Sequence, residues 1–173
     1  MPRINFYGDV SLDGIDGTTF AIDPELRALA DDAALNVANL ECPLTESDAP
    51  MPYKLAHMKA APERTPLFDL FNAFSLANNH VLDYQDAGLL ETLRFLKHTG
   101  KGHFGGGANR DEALEPWRTE IDGLGFSFFA FCRWQNAGRT SPGTAPDKIG
   151  RIARAVRKES RAGRFVVVFP HWN

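Results

Sequence analysis

Cysteine is nearly absent: two residues, Cys42 and Cys132, are too few for a disulfide framework. Each sits in an apolar segment and is expected to be a buried thiol. No apolar run is long enough for a membrane-spanning helix, and no basic-then-apolar start marks a secretion signal, so a cytoplasmic chain without direct membrane insertion is expected. Charge of one sign is lacking too. Nineteen Lys and Arg against 22 Asp and Glu leave a net charge of -3, which predicts no nucleic-acid partner. No internal repeat or low-complexity tract interrupts the 173 residues, a length that buries one sizeable core and predicts a single domain over 1–173.

What is present is an alternation of strand-like and helix-like segments. Residues 3–8 alternate as a strand does, and Asp23-Pro24 opens a helix that runs to about Asp32, with Asp23 as cap. Ala34–Leu40 reads as a second strand, apolar apart from Asn36 and Asn39, and 43–62 as a loop rich in proline and polar groups. Thr65–Phe71 reads as a helix, Phe74–Ala77 as a short strand, and Asp86–Lys97 as the clearest helix, stopped near Gly100. A glycine turn at 105–107 and a short helix over Arg110–Leu114 follow. Trp117–Asp122 and Phe126–Cys132 form a hairpin joined through Gly123-Leu124-Gly125. After a polar loop over 136–146, Asp147–Ala162 is an amphipathic helix and Phe165–Val168 a buried strand. The pattern predicts an α/β fold on a mainly parallel sheet covered on both faces. A buried strand so close to Asn173 predicts that the domain is incomplete there, or that a partner chain or self-association covers the strand.

In such folds ligands bind at the carboxyl ends of the strands. Four strand-like runs end in polar groups: Asp9, Glu41, Asn78-Asn79-His80 and His171. Two carboxylates, an amide oxygen and an imidazole suit a divalent ion such as manganese, iron or zinc. A bridging carboxylate can hold two ions close enough to clamp one phosphate. Each group also has a plainer role open to it. Asp9 and Glu41 can cap helices, Asn78, Asn79 and Asp83 can form turns, His80 can be structural, and His171 can be a bystander near a fraying end. Gly105-Gly106-Gly107 lacks the Lys-Ser of a phosphate loop and reads as a turn, and His57, His98 and His103 read as surface or loop residues. Arg151, Arg154, Arg157, Lys158 and Arg161, opposite Ile152 and Val156, read as a solvated face rather than a polyanion site.

The ordered series Gly8-Asp9-Val10, Asn39-Leu40-Glu41-Cys42-Pro43-Leu44-Thr45 and Ser75-Leu76-Ala77-Asn78-Asn79-His80-Val81-Leu82-Asp83-Tyr84, closing on His171-Trp172, resembles the bacterial capsule-synthesis (poly-γ-glutamate, CapA-type) family. That family is similar to the calcineurin-like metallophosphoesterases, which implies a layered α/β sandwich holding a two-metal centre between two sheets. The resemblance implies Asp9 on the first metal, Glu41 bridging, Asn79 and His171 on the second, and His80 at the substrate phosphate as acid or charge stabiliser. It implies a phosphoester or anionic-polymer substrate and a metal-dependent hydrolase. Three departures accompany it: the family's later histidine-rich segment is absent, Asn173 follows Trp172 in place of glycine, and Gln85 stands where glycine is usual. These departures suit a second reading, a non-catalytic binding or scaffolding subunit.

Overall fold

The computed structural model describes residues 2–15, 21–62 and 66–172, so Thr65 and Asn173 lie outside the described residues. Two sheets lie face to face. The first is parallel, in the order β1 (Ile4–Val10), β2 (Leu35–Leu40), β3 (Ala73–Ser75), β4 (Gly102–Phe104). A two-stranded ribbon pairs β5 (Gly106–Gly107) with β8 (Gly143–Thr144). The second sheet orders β6 (Trp117–Ile121), β7 (Leu124–Cys132) and β9 (Phe165–His171), antiparallel between β6 and β7 and parallel between β7 and β9.

Strand periodicity assigns the faces. On β2, Leu35 and Val37 point toward the second sheet while Ala38 and Leu40 pack with Leu89 and Leu96 of helix α2 (Gln85–His98). Every residue of β2 is buried, as expected of a parallel strand covered twice. On β7, Phe126, Phe128, Ala130 and Cys132 face the first sheet. Phe128, fully buried, lies 5.7 Å from Phe104 and 5.2 Å from Trp117 between ring centroids. Each such buried phenylalanine contributes roughly 1.5–3 kcal/mol. The result is a layered α/β sandwich in which one face of the parallel sheet is covered by helices and the other by a second sheet.

Helix α1 (Pro24–Asp31) starts as predicted, with the Asp23 carboxylate accepting from the Glu25 N–H at 2.8 Å. A short helix α3 (Arg110–Ala113) is capped by Asn109. Five local expectations need correction. The strand at Phe165–Val168, expected to be buried, lies in β9 at the edge of the second sheet and leaves Phe165 and Val168 exposed. The described part of the Thr65–Phe71 helix is a 3-10 turn, Pro66–Leu70. The hairpin turns on Asp122-Gly123 alone, both left-handed at φ 52° and 75°, as a two-residue hairpin turn requires, so Leu124 and Gly125 belong to the strand. The glycine run is a turn only at Gly105 (φ +79°). Gly107 is in β5, where an added Cβ would meet the Ala113 nitrogen at 2.4 Å. His103 is a partly buried residue of β4, not a surface or loop histidine, and burial lowers its pKa. The departure at Gln85 also has a local account. Its φ is +55°, a conformation glycine adopts freely, and its side-chain amide donates to the Ala49 and Pro50 carbonyls at 3.2 Å each.

Helix α4 (Ile149–Arg161) covers the outer face of the second sheet, and its five basic residues are exposed. Its anchor is the one acidic residue, Glu159, which is buried. Arg118 of β6 grips Glu159 with Nε and Nη2 at 2.9 and 2.8 Å, and the Ser127 hydroxyl of β7 donates at 2.8 Å. Arg164 stands 3.8 Å away. The Arg118 hydrogen bonds hold the Glu159 carboxyl down at about 2, against an unfolded value of 4.5.

Two predictions follow from this packing. Glu159 stabilises the fold as a carboxylate, so its contribution is complete above pH 4.5 and is lost as pH falls toward 2. Urea titrations should show wild-type stability falling between about pH 4.5 and pH 2, with Glu159→Gln lacking that part of the slope. At pH 7 the variant should be less stable by about 2–3 kcal/mol, below the ~3–5 of fully buried pairs because Arg118 stays one-third exposed. Equal slopes in both proteins would remove Glu159 as the anchor. Burial also pushes the Cys42 thiol up to about 11 and raises Cys132. A disulfide-exchange reagent should therefore titrate neither thiol in the native protein and both after denaturation; fast native reaction of either would contradict this packing.

Candidate metal centre

The carboxyl ends of β1, β2, β3 and β9 meet at one end of the sandwich, and a bulge aims the first of them. Phe6 pairs with Val37 and Asp9 with Asn39, so three steps along β1 match two along β2. Without that extra residue Asp9 would face the helices, as Tyr7 and Val10 do. With it, Asp9 joins Phe6 on the face toward the second sheet, where Phe6 stacks on Phe169 at 6.2 Å.

Asn39 then holds Asp9 in place. This buried amide donates to Asp9 Oδ1 at 2.7 Å, accepts from Asn78 Nδ2 at 3.1 Å, and lies 3.3 Å from His171 Nδ1. Asn78 is fully buried and completely used. Its amide also donates to the Leu40 carbonyl at 2.8 Å, and its oxygen accepts the His80 N–H at 3.0 Å. The turn after β3 is thereby fastened to β2, and Asn79 and His80 project on either side of it.

Glu41 follows β2, its N–H donating to the Val10 carbonyl at 2.9 Å. Its carboxyl pKa is raised, first by burial and then by the charge of Asp9; His171, His80 and Lys54 pull the other way. His171 is set by strand register, opposite Cys132, on the inward face shared with Val167 and Phe169. Its Nε2 lies 2.9 Å from Asn79 Oδ1 and 3.6 Å from Glu41 Oε1, and its Nδ1 lies 3.5 Å from Asp9 Oδ1. Ligand atoms of Asp9, Glu41 and His171 all fall within 4.8 Å of one another. The structure thus brings Asp9, Glu41, Asn79 and His171 together, from both sheets. Two carboxylates, an amide oxygen and an imidazole at this spacing match the donor chemistry of a divalent transition-metal site, and a cation would relieve the carboxylate repulsion felt by Glu41.

His80 stands apart from this group, its Nδ1 2.7 Å from Asp83 Oδ2. Asp83 is fully buried and also accepts the Met58 N–H at 2.7 Å and the Lys54 ammonium. Sequence reading gave Asn39 and Lys54 no role. Asn39 carried a usable signal, a polar residue in an otherwise apolar strand. Lys54 carried none, lying 29 residues before Asp83 in a polar loop.

Asn78→Ala should destabilise the fold by about 2–4 kcal/mol, because it orphans two buried acceptors and one donor. Denaturation would measure this, and a loss below about 1 kcal/mol would show that the asparagine network does not hold the turn.

Residues 3–173 match the family model described as bacterial capsule synthesis protein PGA_cap. No curated protein matches the chain. Among the described residues no helix is long and apolar enough to cross a membrane. With an α/β sandwich and a family match across nearly its whole length, the chain belongs to the bacterial capsule synthesis protein family, PGA_cap.

Proposed function

We propose that this chain is a metal-dependent phosphoester hydrolase serving capsule or poly-γ-glutamate synthesis. Asp9, Glu41, Asn79 and His171 are the ligands of one or two divalent ions (manganese, iron or zinc) in this reading, and His80 meets the substrate phosphate. One observation supports it: four side chains of metal-ligating type from four strand ends converge across the two sheets, three of them with potential ligand atoms within 4.8 Å. The substrate in this reading is a phosphoester or an anionic polymer.

When bound, a divalent ion supplies Lewis-acid stabilisation of phosphoryl charge and acidifies water. The chain's own residues do the rest. Asn39 orients Asp9 through a 2.7 Å hydrogen bond, the outer support on which ligand geometry depends. In this reading His80 donates a proton to the leaving oxygen or stabilises its charge.

The non-catalytic alternative has its own observation. Among the described residues β9 is an edge strand that pairs on one side only, and Phe165, Val168 and Trp172 are 55%, 39% and 71% exposed. Such an edge invites a partner chain or a second copy, as a binding or scaffolding subunit would.

The deciding experiment loads the protein with manganese, desalts it, and measures retained metal and hydrolysis of generic phosphomonoesters and phosphodiesters. Retained metal should fall at least about tenfold in Asp9→Ala, as expected when a ligand is lost. Activity should fall roughly 10²–10⁴-fold in folded His80→Ala with metal retained. A folded wild type that retains no manganese and hydrolyses neither class would sink the hydrolase and leave the subunit reading.

A further inference from the structure

The loop over 43–62 turns its residues the wrong way round for a solvated loop. Tyr53 and Leu55 are wholly exposed, while Lys54 between them is turned inward with its side chain 22% exposed. Tyr53 also sits at φ +65°, a left-handed conformation that is unfavourable for a bulky residue. Holding a tyrosine in the left-handed region costs free energy, so the inward ammonium must be held by strong contacts. It is. Lys54 Nζ donates to the Asn79 carbonyl at 2.7 Å and to Asp83 Oδ1, and it lies 3.3 Å from His80 Nδ1.

These contacts determine the histidine's hydrogen bonding. Asp83 Oδ2 is 2.7 Å from His80 Nδ1, while the ammonium, which can only donate, is farther from that nitrogen. The proton on Nδ1 therefore points at Asp83, and Nε2 is left for the substrate side. Asp83 is fully buried, and a buried carboxylate needs a paired cation and hydrogen bonds to remain where it is. Lys54 supplies the cation, and the Met58 N–H supplies a further hydrogen bond.

We propose that Lys54 is a positioning residue: by clamping Asp83 and the Asn79 carbonyl together, it fixes the ring of His80 in the Nδ1–H form beside the metal-binding cluster. The role of His80 at a phosphate rests on the hydrolase reading above; the clamp itself does not. One lysine thus ties the peptide of a candidate ligand, Asn79, to the carboxylate that orients the candidate acid. Both must hold their relative positions for an in-line reaction, where a misplacement of about 1 Å can cost around a hundredfold.

The test compares wild type, Lys54→Met, which keeps length without charge, and Lys54→Arg, which keeps charge. At a pH where imidazole is neutral, nitrogen-15 shifts of His80 should show Nδ1 protonated in wild type and in Lys54→Arg, and a mixture of tautomers in Lys54→Met. In the manganese-loaded proteins kcat on a generic phosphodiester should fall roughly ten- to hundredfold in Lys54→Met, with KM nearly unchanged. A wild type with Nε2 protonated would overturn the proposal even where Lys54→Met does not fold. A folded Lys54→Met with wild-type ring shifts would overturn it as well. Ring shifts need no turnover, so an inactive wild type showing the expected shifts in all three proteins would discard the hydrolase reading and keep the clamp.

Discussion

Face-to-face packing of the two sheets is the constraint on which the rest of the structure depends. The candidate ligands come from both, Asp9, Glu41 and Asn79 from the first and His171 from the second, so the sheet separation sets the distance from His171 to the other three. That separation is set by aromatic side chains. Phe128 packs against Phe6, Phe104 and Trp117, and Phe169 lies 6.2 Å from Phe6 and 6.5 Å from Phe104. Close-packed interiors tolerate changes of volume poorly, so a core of this kind transmits its dimensions directly to the site at its end.

The polar end of the sandwich is organised as carefully as its apolar middle. Asn39 and Asn78, both buried, link three strand ends by amide hydrogen bonds, and each uses its donor and acceptor within the network. Asp83 and Lys54 form a second, charged network beside it, meeting the first at the Asn79–His80 peptide, whose carbonyl accepts from Lys54 and whose N–H donates to Asn78. Satisfied networks in a low-dielectric setting are stiff, which suits groups that must keep fixed distances. The asparagines confer rigidity without adding charge, and the charged pair sits beside the His80 ring.

Much of the fold was legible in the sequence because it rests on local chemistry. The Asp23 cap follows from a local side-chain hydrogen bond, and the Leu89, Leu93 and Leu96 spacing of α2 and the basic face of α4 follow from the 3.6-residue period. Short elements were less legible: β4 and β5 have only three and two residues, too few to show a period. Glu159 was hidden for a different reason, since one acid in a basic helix looks like surface until its partners on β6 and β7 are known.

The sequence by itself determined which chemistry is available: Asp9, Glu41, Asn79, His80 and His171 at strand ends, in an order that matches the capsule synthesis family. Only the tertiary structure decided how those groups stand to one another. The β1 bulge turns Asp9 toward the second sheet, strand register delivers His171 from 92 residues beyond Asn79, and Lys54 reaches Asp83 across a loop. The physical reason is that periodicity and capping act over a few residues, whereas bulges, register across sheets and buried ion pairs arise from packing between segments far apart in the chain.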